Sequence, residues 1–466
     1  MMRTPFAIGS ILLVACSQNP ELVTSPPDAG GLVLPPPDAG DPIIPTPGFP
    51  GRSRTLGTAH VTNVMAITRA ADGSLWVAHA DETATQGFDE DRPLLVERFD
   101  AGLGAGRIVA QGVVRPNNFT GGSPQRVALC SHPSGEVTLA TFAAVAGETS
   151  GAALTLTRFA ADGAPLRTGF IDEPGVEVKD GHSSYSLGND ADCVADGEEV
   201  LLLAPTTGVK LYRIAADLSV GWRQLVMPLT ANLALGPVYD TRARVALAPN
   251  GDAVTALTLW VEDAAAFTQA FGETLPPTSG VSDVLVTRFG RGGARISAGL
   301  LGGPEVERVR GVNAAGDEVA ILAEIRVKKD DEPNQTLERD VLLLRGDPAR
   351  NVTSQAVQID LCRDEFISGA LPRPDGGFWV AGSACRVQAD SGSLIANGKG
   401  FVLAVGPDGA RGGVTWFTGD RDTDVQAMAV STSGELAVGG FRNGPLTHTD
   451  PSELENQGWI GIVDPP

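Results

Sequence analysis

Short apolar runs separated by polar turns dominate the chain from residue 51 onward. Runs rich in Val, Leu, Thr and Phe alternate with turns of Gly, Asp, Asn and Pro, and helical periodicity is nearly absent. Apolar runs of this length, bounded by turn residues, are typical of β-strands. The pattern therefore predicts an all-β chain.

One hairpin recurs along the chain as a strand, a tight turn containing Gly and a second apolar strand. Its first copy is VMAITRAADGSLWVAHA and its last is AMAVSTSGELAVGGF. The turn glycines of seven copies, spaced about 60 residues apart, are Gly73, Gly135, Gly197, Gly251, Gly316, Gly376 and Gly434. A second hairpin, such as LTLTRFAADGAPLRTGF, follows each of the first six copies. The unit is thus a four-stranded antiparallel blade, and the count predicts a seven-bladed β-propeller, with six or eight blades as the alternatives.

The seventh copy is incomplete, because the chain stops after GWIGIVDPP, which supplies a third strand and no fourth. GRSRTLGTAHVTNVMAI, residues 51–67, matches the layout of an outer strand that runs into the next inner strand. We therefore expect residues 51–58 to form the outer strand of the last blade, to pair with Trp459–Val463 and to close the ring. The propeller would then span residues 51–466.

The N-terminal segment reads as an export signal. In MMRTPFAIGSILLVACSQ an apolar run from Phe6 to Ala15 is too short to span a bilayer. Leu13-Val14-Ala15-Cys16 resembles the lipobox of bacterial lipoproteins, which implies a signal peptide over residues 1–15 and lipidation of Cys16. An ordinary secretory signal is the alternative. Residues 16–50 would combine the lipidated Cys16 with a linker whose proline density favours an extended, semi-rigid spacer.

The C-terminal repeats carry a family resemblance. GFVLAVGPDGARGGVTWFTG and VQAMAVSTSGELAVGGF resemble the repeats of bacterial β-propeller-repeat lipoproteins, and the likeness weakens in blades one to five. The resemblance implies a seven-bladed propeller held on the bacterial envelope, at the outer membrane or cell surface, by its lipid anchor. It leaves the function open, because propellers host enzymes, binders and scaffolds alike.

Charge excludes one class of partner. The net charge is −21 and the pI is about 4.6. Nucleic-acid binding is driven by neutralising phosphates with Lys and Arg, so we expect no nucleic-acid partner. Adhesion to anionic lipid by charge alone is equally disfavoured.

The chain shows no linear catalytic or metal-binding motif. GxSxG and HExxH are missing, and the five histidines are scattered without metal-ligand spacing. We therefore predict no catalytic residues, no metal site and no cofactor. The acidic segments 80–92 and 328–335 lie between second and third strands, where solvated loops are expected and calcium is the alternative.

Charged residues near the starts of the inner strands are the candidate binding site. Arginines and acids alternate around the predicted ring at Arg126, Arg244, Arg308, Arg310, Asp192, Glu365 and Asp424. Arg suits bidentate recognition of carboxylates, so one hypothesis is a site for an anionic or sugar-like ligand on the face that bears the long loops. The alternative is a salt-bridged channel wall. The recurring third-strand arginines Arg98, Arg158, Arg213 and Arg288 are instead expected to pair with acidic turn residues.

Four cysteines remain after Cys16, and export favours disulfides. Cys362 precedes the inner strand of blade six and Cys385 follows its second strand, so a hairpin brings them to one end. Cys130 and Cys193 lie late in the inner strands of adjacent blades. We therefore expect Cys362–Cys385 and Cys130–Cys193 pairs.

Two functions remain. The favoured one is a membrane-anchored, monomeric propeller that serves as a binding or protein-interaction scaffold, with a protein or carbohydrate ligand. The alternative is a hydrolase or lyase acting on polysaccharide or peptide at the channel mouth. Convergent channel carboxylates about 5 to 10 Å apart with shifted pKa values would favour the enzyme, and their absence would favour the scaffold.

Overall fold

The structure is a computed structural model, and its described part begins at Gly51. The described residues are 51–56, 61–82, 92–104, 106–114, 127–144, 152–171, 178–179, 182–183, 191–206, 208–228, 243–303, 305–315, 318–328, 337–362, 365–384, 387–388, 394–395, 398–417, 423–431, 433–443 and 456–466. All of them belong to one compact unit, Pro37–Pro466. The signal peptide over residues 1–15, Cys16 and the linker lie outside them, so these assignments stay predictions.

The strands form seven four-stranded antiparallel blades, as the repeat predicts. Each blade runs from an inner strand through second and third strands to an outer strand. The strands of blades 1 to 4 are, in that order, Val61–Arg69, Leu75–Glu82, Arg92–Phe99 and Arg107–Val114; Val127–Ser131, Val137–Ala144, Ala152–Phe159 and Pro165–Ile171; Asp192–Asp196, Glu199–Thr206, Gly208–Ile214 and Val220–Pro228; Ala243–Leu247, Ala253–Trp260, Ser282–Phe289 and Arg295–Leu301. Those of blades 5 to 7 are Val306–Ala315, Glu318–Lys328, Leu337–Asp347 and Val352–Ile359; Phe366–Pro372, Phe378–Ala384, Lys399–Val405 and Arg411–Phe417; Thr423–Val430, Leu436–Asn443, Asn456–Val463 and Arg52–Thr55.

The N-terminal strand completes blade 7 and closes the ring. Arg52–Thr55 pairs antiparallel with Trp459–Ile462, and the Leu56 amide donates to the Gly458 carbonyl at 2.8 Å. Leu56 itself is buried between blades 7 and 1. The predicted closure is therefore confirmed.

Seven hydrophobic clusters fill the seven interfaces between neighbouring blades, including the one between blade 7 and blade 1. Second and third strands are covered on both faces, and Ala253–Trp260 is buried at every position. Outer strands such as Pro165–Ile171 are mostly exposed. This gradient follows from face-to-face packing, because only the two middle strands lie wholly between neighbouring sheets.

Tight turns join the inner and second strands. Gly73 and Gly376 have φ of 81° and 90°, and four of the other five predicted turn glycines also have positive φ. Gly316 lies outside the described residues. A side chain at these positions would strain the backbone, which explains why Gly recurs at the repeat spacing.

The insertion in blade 4 is more ordered than the sequence suggests. Residues 261–282 lie between the second and third strands of this blade, and within them Ala264–Phe271 forms an α-helix that ends at Gly272. Phe267 is fully buried between blades 3 and 4, and Arg295 lies 4.1 Å from the Phe271 ring centroid.

Two short hairpins, Val178–Lys179 with His182–Ser183 and Val387–Gln388 with Leu394–Ile395, lie outside the blades. No helix in the described part of the chain is long and apolar enough to cross a membrane.

Candidate functional site

The central channel is the space enclosed by the seven inner strands. It has a volume of about 570 Å³, and residues of all seven inner strands line it. Its wall carries mainly small and apolar side chains, with Arg69, Asp192 and Arg244 as the charged members among the lining residues that the structure describes. Asp192 is the single carboxylate in that set. The described wall therefore lacks a convergent carboxylate pair.

Asp192 and Arg244, which we predicted as ligand-binding, connect neighbouring blades. Asp192 Oδ2 accepts the Val245 amide of blade 4 at 2.8 Å. Arg244 Nε donates to the Arg310 carbonyl of blade 5 at 3.1 Å. Both side chains therefore help to fix the spacing of adjacent inner strands.

Other side chains also accept a backbone amide of the neighbouring blade. Gln426 Oε1 accepts the Val64 amide at 3.0 Å, across the junction of blades 7 and 1. Thr258 and Glu324 accept the Val309 and Ile367 amides in the same way, at 3.1 and 3.2 Å. In each case a polar side chain of the preceding blade satisfies an inner-strand amide.

Arg308 and Arg310 form internal ion pairs. Arg310 is fully buried, and its Nη2 donates to Glu324 Oε2 at 2.9 Å. Arg308 Nη1 lies 3.9 Å from the other oxygen of Glu324. The structure thus gives these two arginines a protein carboxylate as partner, as the salt-bridged alternative expected.

The remaining predicted members of the ring are dispersed. Asp424 accepts from Ser368 Oγ at 3.4 Å, at the junction of blades 6 and 7. Glu365 lies buried at the start of the blade 6 inner strand and does not face the channel lining. Arg126 lies outside the described residues. Binding of a ligand by this set as a whole stays a prediction.

The channel widens into a basin at the face that bears the short turns, which we call the turn face; the opposite side is the loop face. The basin has a volume of about 1010 Å³ and is formed by turn residues of blades 3 to 7. Its rim offers Asn250, Asp375 and Arg291, and its wall includes Trp379, over which the Arg373 guanidinium lies 4.5 Å from the ring centroid. Sequence reasoning placed the site on the loop face and missed this basin, because no linear motif marks a surface assembled from five turns.

Three of the four third-strand arginines, Arg98, Arg158 and Arg213, pair with turn acids, as predicted. Arg98 Nη2 lies 2.9 Å from Asp72 Oδ2. Arg158 contacts Glu136 of its own blade and Glu198 of the next, and Arg213 contacts acids in its own blade's turn. Arg158 and Arg213 are both buried, and Arg158 Nη1 donates to the Glu198 carbonyl of the adjoining turn at 2.8 Å.

Among the described residues, two groups of largely buried carboxyls lie between blades, and sequence reasoning found only Glu365 among their members. The first consists of Asp283 and Glu307, at the junction of blades 4 and 5. Burial raises the pKa of Glu307 to about 9, and the Asp283 carboxylate adds to the rise. Burial also raises the pKa of Asp283, against hydrogen bonds from the Ser279 and Gly280 amides.

The second group consists of Asp340, Asp360 and Glu365, at the junction of blades 5 and 6. One oxygen from each lies within 4.8 Å of the others. Burial raises the pKa of Glu365 well above its usual range, and the Asp340 and Asp360 carboxylates raise it further. The sequence signal for both groups is the repeated Asp-Val-Leu at Asp283 and Asp340, which we did not use.

The Cys130–Cys193 disulfide is confirmed, and it links the inner strands of blades 2 and 3. Cys362 is also disulfide-bonded. Its predicted partner, Cys385, lies outside the described residues, so that pairing stays a prediction. The disulfide-bonded cysteines agree with the expectation of oxidised thiols.

Comparisons with known proteins find distant structural similarities. No protein-family model matches the chain, and no curated protein sequence matches it. The chain resembles the α-L-arabinanase of Penicillium chrysogenum solved with arabinobiose, at 11% identity over 87% of this chain and 92% of that one, with a TM-score of 0.43. It also resembles the polysaccharide lyase Uly1, at 9% identity over 88% and 91% with a TM-score of 0.41.

A third similar structure is the GH93 α-L-arabinofuranosidase of Fusarium graminearum with arabinobiose, at 10% identity over 89% of this chain and 95% of that one, with a TM-score of 0.40. Likeness at this level carries no argument about activity. The blades of the present chain establish its propeller fold directly, through their strand pairing and interfaces.

Proposed function

We propose that the chain is an exported lipoprotein whose propeller is a binding or protein-interaction scaffold. The observation that carries the proposal is the channel with its basin, which together form a wide and partly apolar concavity. The single carboxylate among the described channel residues, Asp192, accepts a backbone amide of the next blade. Binding needs shape and a few polar groups, whereas hydrolysis needs an accessible acid and base. The described lining offers the shape and the polar groups for binding, and its basin carboxylates Asp196 and Asp375 are paired with Arg213 and Arg373.

The turn-face basin is the binding site we favour. Its apolar surface comes from prolines and Trp379, and its polar groups include Asn250 and Arg373. A flat apolar surface with hydrogen-bonding groups at its edge suits an extended polar chain such as a glycan or a peptide segment. The loop-face site remains a second proposal, centred on Arg126 and Arg244.

The binding test uses the full-length chain, a glycan array and envelope extracts. We expect Asn250→Ala with Arg373→Ala to abolish retention of a ligand. Arg350→Ala, which changes an arginine that does not line the basin and whose side chain is 81% exposed, should retain it. Loss in Arg244→Ala with retention in the basin variant would place the site on the loop side of the channel. Equal retention by all variants would contradict both sites.

The anchor is tested separately. Labelled fatty acid should be incorporated into the wild-type chain and not into Cys16→Ser, and the variant should leave the membrane fraction. Incorporation that persists in Cys16→Ser would contradict the lipoprotein assignment.

The enzyme alternative has one observation in its favour, the carboxyls with raised pKa between blades. Glu307 and Glu365 are fully buried, so neither reaches a substrate in this structure. Release of reducing ends or unsaturated sugars from envelope polysaccharide by the full-length chain would support the enzyme over the scaffold.

A further inference from the structure

The junctions of blades 4/5 and 5/6 are built on the same plan. Asp283 and Asp340 each precede the Val-Leu of a third strand. Glu307 and Glu365 each lie two residues before the inner-strand bulge that begins at Val309 or Ile367. In both, Glu Oε1 accepts the amide of the residue four positions earlier, at 2.9 Å. The two sites can therefore be compared position by position.

One difference between them bears on cation binding. Five residues before the glutamate stands Gly302 in the first junction and Asp360 in the second. A Cβ at Gly302 would lie 2.4 Å from Asp283 Oδ1, so this position is directed at the neighbouring aspartate. At the second junction a carboxylate occupies that direction, and the three carboxylate oxygens come within 4.8 Å of one another.

The hydrogen bonding of Glu365 is a second, separate observation that points to a bound cation. Its side chain is fully buried. Oε1 accepts the Leu361 and Cys362 amides at 2.9 and 2.7 Å, whereas buried Oε2 has no hydrogen-bond partner in the described part of the protein. A buried carboxylate oxygen without a hydrogen-bond partner, close to two further carboxylates, destabilises the folded protein. A cation bound among the three carboxylates would replace their repulsion with attraction to the ion.

We propose that Asp340, Asp360 and Glu365 form a binding site for a hard divalent cation of the calcium class. All three ligands are carboxylate oxygens, which such ions prefer. Three oxygens within 4.8 Å of one another can all lie within about 2.8 Å of a common point, so small side-chain movements bring them to the Ca²⁺–oxygen distance of about 2.3–2.6 Å. The ion would clamp the segment that bears disulfide-bonded Cys362 to the third strand of blade 5.

The test measures Ca²⁺ binding to the full-length chain after chelation, by calorimetry and by the thermal midpoint. We expect Ca²⁺ to raise the midpoint, and Asp360→Asn and Glu365→Gln to weaken binding at least tenfold. Asp360 is only half-buried, so its variant keeps the test valid if Glu365→Gln folds poorly. Glu307→Gln is the control, because the matching junction shows no such group of three carboxylate oxygens among the described residues, and this variant should bind Ca²⁺ as the wild type does.

A second readout separates binding from general stability. In chelator, both variants should be at least as stable as the wild type, because each removes one of three mutually repelling carboxyls. Mg²⁺ and Mn²⁺ are titrated in parallel to define the class of ion. Absence of binding to the wild type would overturn the proposal, as would a Ca²⁺ effect of equal size in Asp360→Asn and Glu365→Gln.

Discussion

Glu307 makes the stability of the propeller depend on pH in an unusual direction. Its pKa in the folded protein is about 9, against 4.5 for an exposed glutamate. Above pH 4.5 the unfolded chain releases a proton that the folded chain keeps. The stabilisation is therefore complete below about pH 4.5 and is lost as the pH rises towards 9.

The magnitude follows from the proton linkage. One proton retained by the folded state costs up to about 1.4 kcal/mol per pH unit, so the three units between pH 5 and pH 8 set an upper limit of about 4 kcal/mol. Asp283, whose pKa is also raised, shares the site. We expect the free energy of unfolding to fall by about 2–4 kcal/mol over this range.

Glu307→Gln replaces the titrating group with a neutral one of the same size. Its amide group reaches the same surroundings, in which buried Asp283 Oδ1 has no hydrogen-bond partner among the described residues. We expect the variant to lose less than half as much stability as the wild type between pH 5 and pH 8, and to be the more stable protein at pH 8.

Denaturant unfolding of the full-length wild type, Glu307→Gln and the control Glu318→Gln at pH 5, 6.5 and 8 measures this. Glu318 is exposed and lies in the same blade, so its variant should follow the wild type. Identical pH dependence of the wild type and Glu307→Gln would refute the reasoning.

Three further changes probe the contacts between blades. Cys130→Ser should lower the free energy of unfolding by about 4 kcal/mol, the chain-entropy value for the 63-residue separation from Cys193. A free energy of unfolding equal to that of the oxidised wild type, measured by denaturant unfolding, would contradict this expectation. Arg158→Met should lower the free energy of unfolding by about 2–3 kcal/mol, because it leaves two turn acids of adjacent blades without their cation. Arg98 is more exposed, so Arg98→Met should lower it by less than about 1 kcal/mol. Equal thermal midpoints for the two variants would argue against a stabilising role of Arg158 between the blades. Deletion of residues 51–58 should cost several kcal/mol, about the value of an uncovered strand edge and an open interface, and a deletion variant that melts with the parent would disprove the closure.

Much of the fold is predictable from local chemistry. The Gly-containing turns recur because a tight turn needs positive φ, as at Gly73 and Gly376, and the apolar strands between them cannot bury both faces alone. Counting these units leads to seven blades, and the missing last strand leads to the pairing of Arg52–Thr55 with Trp459–Ile462. The Cys130–Cys193 pair follows from the same alignment of repeats.

The tertiary structure decided what the polar side chains do. Arg310 and Glu365 have the same sequence character as any exposed charged residue, but neighbouring blades bury both, and that burial depends on packing between segments remote in sequence. The basin is formed by turns from five blades, so no segment contains it. The three carboxylates meet because a third strand and the following loop converge at one blade junction. Periodicity along a chain specifies strands and repeats, whereas the distance between two side chains of different strands and loops is set only when the sheets pack against one another.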